Sequence, residues 1–248
     1  MTETQPNAAI RSAKQAIRER VWARLTTEKA AAFPFPIAGR IPNFAGAERA
    51  AARLAELPEF REAHVVKVNP DSPQRPVRRR VLEEGKHLLM PTPRLRGGFT
   101  LVDPSHLTPL QRKEASSIAG AFARGRAIRL DEVPHIDLIV VGSVGVAPNG
   151  ARVGKGEGYS ELEYATLRQL GIADDAIPIA TTVHDIQVVA SVPLEPFDVP
   201  VDIIVSPTQT IRTTSRPSRP LGILWDLRDP ERLEEMPVLR ELRGHPTP

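Results

Sequence analysis

The sequence predicts a three-layer α/β/α fold around a mainly parallel sheet, and three observations carry that reading. Short apolar runs alternate with stretches of helical character, the order that builds a parallel sheet covered on both faces. The run Ile136–Val141 is apolar apart from Asp137 and reads as a buried strand. It leads directly into a loop containing Gly142, Gly145, Gly150, Gly154, Gly156 and Gly158, with a helix opening near Tyr159. No internal repeat and no dividing linker interrupts the chain, so residues 1–248 read as one domain.

The elements follow in order. Ala9 to about Ala31 reads as a long helix, because Ile17, Val21 and Leu25 recur at four-residue spacing. Trp22 lies beside that stripe and is assigned to the core. Phe33-Pro34-Phe35-Pro36 ends the helix, since proline lacks an amide proton and disfavours a helical residue before it. Alanine-rich Ala45–Leu57 is a second helix, stopped by Pro58. A strand at Ala63–Val68 runs into the rigid turn Asn69-Pro70-Asp71-Ser72-Pro73. A basic helix over Val77–Glu84 closes at Gly85, and His87–Met90 is the next strand. Thr108–Phe122 reads as one helix with Thr108 as its cap and Pro109 at the first helical position. Beyond the glycine loop come a helix over Tyr159–Leu170, ended by Gly171, and strands at Ile177–Val183, Ile186–Val189 and Val201–Val205. The proline-rich tail Ser206–Pro248 is expected to pack back on the domain, with a short helix near Pro230–Met236.

Composition narrows the function classes. With 41% hydrophobic and 25% charged residues the chain is not globally disordered. No apolar run approaches the ~18 residues a membrane-spanning helix needs. Met1–Ile10 lacks the apolar region of a secretory signal, so a cytoplasmic location is the expectation. Without cysteine there is no disulfide, no thiolate metal site and no thiol nucleophile. Lys+Arg 33 against Asp+Glu 30 leaves only +3, and aromatic residues make up 4%, so composition does not favour nucleic acid as a partner. Nor does it imply a membrane partner, and it says nothing of oligomeric state. Most basic residues are arginine, which suits bidentate recognition of phosphate or carboxylate and equally suits a GC-rich coding sequence.

The glycine loop is the strongest chemical feature. Strand, glycine-rich loop and helix N-terminus together make a ready anion site, and Arg152 and Lys155 add full charges to it. Gly154-Lys155-Gly156-Glu157-Gly158 matches neither a P-loop nor a dinucleotide fingerprint. A ligand-free connecting loop is the alternative that spacing alone leaves open.

Arg152-Val153-Gly154-Lys155-Gly156-Glu157-Gly158-Tyr159 resembles the R-L-G-x-G-x-G-Y-Y-D signature of the 5-formyltetrahydrofolate cyclo-ligase (methenyltetrahydrofolate synthetase) family. Lys14 and Arg18, one helical turn apart, resemble its N-terminal K-x-x-x-R, and Gly85-Lys86 its helix-ending G-K. The likeness runs over roughly residues 9–210. Asn69-Pro70-Asp71-Ser72-Pro73-Gln74, Pro91-Thr92-Pro93-Arg94-Leu95 and Gly222-Ile223-Leu224-Trp225 look closer to its synthetase-domain-containing branch. The resemblance implies a cyclo-ligase-like fold of the NagB/RpiA/CoA-transferase type. It also implies an ATP- and Mg²⁺-dependent ligase that closes a C–N bond, turning 5-formyltetrahydrofolate into 5,10-methenyltetrahydrofolate. Carried over by position, Lys14, Arg18, Arg152 and Lys155 would bind the nucleotide, with Gly154, Gly156 and Gly158 as cradle. Arg152 and Tyr159 would act in catalysis, Tyr159 and Asp71 would contact the reduced folate, and Glu161 would reach Mg²⁺.

The chain departs from the family pattern at several points. The signature's second tyrosine and aspartate are Ser160 and Glu161, its arginine is Leu162, and the aspartate expected before the loop is Ala147. These departures keep a second reading open, a non-catalytic member acting as a nucleotide-, folate- or RNA-associated regulatory module. The cluster Arg75, Arg78, Arg79, Arg80, Lys86, Arg94 and Arg96 is the best basic patch, suited to RNA phosphates or a polyglutamate tail if it is not a solvated helix face. His184-Asp185, read as adjacent strand residues facing opposite ways, is assigned a structural role, as are Gln187 and Asp198.

Overall fold

A computed structural model of the chain describes residues 8–227 together with Met236, Leu239 and Leu242. Its centre is an eight-stranded sheet. The strands are β1 (Val65–Val68), β2 (His87–Pro91), β3 (Phe99–Val102), β4 (Arg126–Ile128), β5 (Leu138–Val141), β6 (Ile179–Thr182), β7 (Ile203–Val205) and β8 (Thr210–Arg212). They lie in the order β8-β7-β6-β5-β1-β2-β3-β4. The five from β7 to β2 are parallel, while β8, β3 and β4 are antiparallel additions at the two edges. The expected mainly parallel sheet is present. The edge strands were not legible in the sequence: Arg126, Thr210 and Arg212 interrupt their apolar pattern, as solvent-facing edges permit.

The helices longer than one turn are α1 (Ala8–Thr27), α2 (Ala47–Ala55), α3 (Arg75–Glu83), α4 (Pro109–Ala115), α5 (Ile118–Arg124) and α6 (Tyr159–Gln169). Period-two alternation divides the strands between two layers. Val66, Val68, Leu88, Met90, Leu138 and Val140 face α2, α3, α4 and α5. Leu89, Ile139, Val141, Ile179 and Ile204 face α6 and the C-terminal segment, where Ile223, Met236, Leu239 and Leu242 are buried. The expected helix near Pro230–Met236 lies outside the described residues, Met236 excepted. Helix α1 forms a separate core: Ile17, Val21, Trp22 and Leu25 pack on Val144, Val153 and Ile186 beyond the carboxyl ends of the strands. Trp22 is in the core as expected, and its Nε1 donates to Arg40 O (3.1 Å).

Two expectations fail for local reasons. The helix read over Thr108–Phe122 is broken at Ser116-Ser117 into α4 and α5. Thr108 caps α4 through a capping box with Gln111, and Ser117 caps α5 by accepting from Gly120 N. The strand read at Ile186–Val189 is instead a 3₁₀ turn, Asp185–Gln187, capped by His184 Nδ1, which accepts from Ile186 N. Of the expected strand only Val188 pairs, in a single parallel bridge to Val146.

Candidate functional site

The parallel strands end at one cavity of about 870 Å³. Beyond β1 lie Asn69-Pro70-Asp71, beyond β5 Gly142, and beyond β2 Thr92-Pro93, and all of them line it. Strands β1 and β5 are neighbours, and from them the chain builds outward in opposite directions along the sheet. That switch point, at the carboxyl ends of the strands, is where open α/β sheets bind ligands. Space there depends on Gly142, since a Cβ at that position would stand 2.8 Å from Asp71 Oδ2.

After β5 the chain forms a short hairpin, Gly145–Val146 against Arg152–Val153, and then the glycine loop. Gly158 takes a left-handed conformation (φ 73) and turns the loop into the first turn of α6. The N-cap residue is Gly158 itself, which has no side chain to cap the helix, and the first turn of α6, Tyr159-Ser160-Glu161, lines the cavity.

The cavity lining includes every residue that the family resemblance placed in the site: Lys14, Arg18, Asp71, Arg152, Gly154, Lys155, Gly156, Gly158, Tyr159 and Glu161. The cations among them already have partners. Arg152 is buried and donates from all three nitrogens: Nη2 to Glu161 Oε1 (2.6 Å), Nη1 to Gly142 O (2.9 Å) and Nε to Val199 O (3.2 Å). Lys14 Nζ donates to Glu195 Oε2 (2.8 Å) and Asp198 Oδ2 (2.6 Å) and sits 5.7 Å from the centre of the Phe197 ring. Arg18 Nε donates to Gly154 O (2.7 Å), tying α1 to the glycine loop. Lys155, at the rim, pairs with Glu157 (2.7 Å).

Sequence reasoning missed Glu195, and it assigned Asp198 a structural role only. Asp198 does hold its own turn by accepting from Glu195 N (2.7 Å), yet both carboxylates also stand in the cavity wall. A second missed feature is the buried pair Lys67–Glu163 (2.5 Å), with Asn69 and Ser160 attached to it. A lysine inside the apolar strand Val65-Val66-Lys67-Val68 was its signal in the sequence.

Burial sets the proton affinities. Asp71 is half-buried and carries a raised pKa because its carboxyl is desolvated, with Lys155 and Arg78 opposing. Glu163 is raised by burial against the pull of Lys67, and Asp198 by burial against Lys14. The Arg78 guanidinium, buried beneath the cavity wall, falls to about 10 by desolvation.

Arg78 also corrects the expected basic patch. It is 1% exposed and donates to Ser116 O, Asn69 O and Asp71 O, so it holds the 69–71 turn from within. Lys86 is buried as well and donates to Arg61 O and Ala63 O. Arg79 and Arg80 pair with Glu83 and Glu84 along α3. Adjacency in sequence does not become one surface, because successive residues of a helix point in different directions. His184 and Asp185 are structural as expected, though through the 3₁₀ turn: Asp185 accepts from Ser206 Oγ and Thr208 Oγ1 (2.5 Å each). Gln187 is structural too, donating to Ser143 O and Val144 O.

Among the described residues no three Asp, Glu or His side chains are disposed to hold a metal ion. No described helix is long and apolar enough to cross a membrane.

A family model described as the 5-formyltetrahydrofolate cyclo-ligase family matches residues 10–207. Methenyltetrahydrofolate synthase domain-containing protein of Mus musculus is 43% identical over 235 residues, covering 93% of this chain and 63% of that protein. Its Bos taurus counterpart is 42% identical over 244 residues, covering 96% and 63%. The chain thus spans about 63% of the length of these curated relatives. In fold it is similar to the NMR structure of Aquifex aeolicus 5,10-methenyltetrahydrofolate synthetase, with a TM-score of 0.51 at 22% identity over 86% of this chain and 97% of that one. With the family model spanning seven of the sheet's eight strands, nearly all of α1 and the whole glycine loop, the chain belongs to the 5-formyltetrahydrofolate cyclo-ligase family.

Proposed function

We propose that this chain binds Mg-ATP and a reduced folate in the cavity and converts 5-formyltetrahydrofolate to 5,10-methenyltetrahydrofolate. The observation that carries the reading is the glycine loop feeding the N-terminus of α6 into the cavity at the sheet's switch point. Backbone N–H groups and the helix dipole there favour a polyphosphate. In the reaction the γ-phosphoryl group passes to the N5-formyl oxygen and ADP leaves. N10 attacks the formyl carbon and loses its proton, and phosphate departs with the oxygen.

The chain's own residues supply position and charge rather than a nucleophile. Arg18 and Lys155 flank the loop at its mouth. Arg152, bonded to both Gly142 O and Glu161, fixes the loop and helix in register. Tyr159 and Asp71 stand on the cavity wall where the folate would lie. Magnesium, when bound, would supply charge neutralisation for the phosphates. Glu161, a carboxylate lining the cavity beside Arg152, would be the protein's contribution to holding the ion, which takes one or two carboxylates plus phosphates.

A second reading, a module that binds ligand without turnover, draws on one observation. Lys14 and Arg152 are satisfied by Glu195, Asp198 and Glu161, so an incoming phosphate meets cations already neutralised. Incubation with 5-formyltetrahydrofolate and Mg-ATP separates the two. Methenyl absorbance with stoichiometric phosphate release supports the ligase; calorimetric binding of either ligand with neither signal supports the module.

A further inference from the structure

Asn69, Ser160 and Glu163 line the cavity, and with Lys67 buried behind them they form a relay in which the direction of every hydrogen bond is determined. Lys67 stands in β1 at 1% exposure, on the face turned toward α6. An ammonium only donates. It gives one hydrogen bond to Glu163 Oε2 (2.5 Å) and one to Asn69 Oδ1 (2.6 Å). With Oδ1 taken, the Asn69 amide has a single orientation, and its Nδ2 donates to Ser160 Oγ (3.2 Å). The oxygen of Ser160 is therefore an acceptor in this relay, which leaves its own proton to be given elsewhere. Ser160 is half-buried, lines the cavity, and is the second residue of α6, where the helix favours electron-rich groups.

A buried ion pair is costly to desolvate and rarely stabilises a fold more than apolar packing would. The alternation of β1 would accept an aliphatic side chain at position 67. What Lys67 adds is the orientation of Asn69, and through it the orientation of Ser160. We infer that Ser160 donates its hydroxyl proton to an acceptor oxygen of the small molecule in the cavity, with Lys67 and Asn69 as positioning residues. The inference rests on the ligand reading above but not on turnover. A phosphoryl oxygen of the nucleotide and a carbonyl oxygen of the folate offer the same acceptor chemistry.

The test is calorimetric titration of the full chain with Mg-ATP alone and with 5-formyltetrahydrofolate alone. Ser160→Ala should weaken one of them about tenfold, and the ligand affected identifies the oxygen; Ser160→Thr should stay within about twofold of wild type. Asn69→Asp gives the sharper readout. A carboxylate can only accept, so Asp at 69 would capture the Ser160 proton and reproduce the Ser160→Ala loss with the serine still present. The double variant should then be no weaker than either single one, whereas simple charge repulsion would add to the loss. Melting midpoints of all variants guard against misfolding. Unchanged affinity in Ser160→Ala, equal loss for both ligands, or additive effects in the double variant would overturn the inference. If wild type binds neither ligand, the functional reading fails first and the inference falls with it.

Discussion

Arg152 and Glu161 meet at 2.6 Å across the start of α6, and this contact joins the glycine loop to the helix it feeds. Both residues are buried, and Arg152 closes two further bonds to the backbone carbonyls of Gly142 and Val199. Loop geometry and helix position are thereby one mechanical unit.

Arg152→Ala should therefore destabilise the fold before it touches binding. The change leaves Glu161 buried without its cation and two carbonyls without donors, a loss of roughly 3–5 kcal/mol. Urea unfolding would read it as a shifted midpoint with an unchanged slope. A midpoint within error of wild type would show that the pair does not hold the loop.

Glu161→Gln is the milder probe of the same contact. The amide keeps an acceptor for Arg152, so folding should survive, while loss of the carboxylate should lower Mg-ATP-dependent turnover roughly tenfold, about 1.4 kcal/mol of barrier. Partial recovery at raised Mg²⁺ would accompany it. Turnover equal to wild type would remove Glu161 from the metal's surroundings.

Two neighbouring arginines on α3 should differ widely. Arg78→Leu strands the carbonyls of Ser116, Asn69 and Asp71 beneath the cavity, costing about 3 kcal/mol or more. Arg79→Ala removes only an i,i+4 surface pair with Glu83, worth about 0.3–0.5 kcal/mol. Comparing the two unfolding midpoints checks this, and equal losses would contradict the burial of Arg78.

Asp71 provides a pH signature with a definite sign. Burial raises its folded pKa above the ordinary 3.8, so the folded state holds the proton more tightly than the unfolded chain. Its contribution to stability is then fully present below 3.8 and is lost as pH rises through the folded pKa. Asp71→Asn lacks this loss, so relative to wild type the variant should gain stability across that rise. Unfolding curves recorded from acid to neutral pH measure the difference, and parallel profiles for the two proteins would refute it.

Much of the architecture was legible because it rests on local patterns. Ile17, Val21 and Leu25 mark one helix face, and Ile136–Val141 can satisfy its apolar side chains only between two covering layers. Proline and glycine punctuation located most helix ends, Gly85 and Gly171 both adopting positive φ just past α3 and α6. The reading failed where a single residue outweighed the pattern, as when Ser117 captured Gly120 N and broke one helix into two. By itself, then, the sequence determined the alternating layers and the glycine loop, since both follow from backbone preferences and apolar spacing within a few residues. Only the tertiary structure decided the charges of the site. Lys14 finds Asp198 across 184 positions and Lys67 finds Glu163 across 96, while Arg78 leaves its basic neighbours for the interior. Ion pairs depend on through-space distance and burial, and neither quantity is encoded in the spacing of residues along the chain.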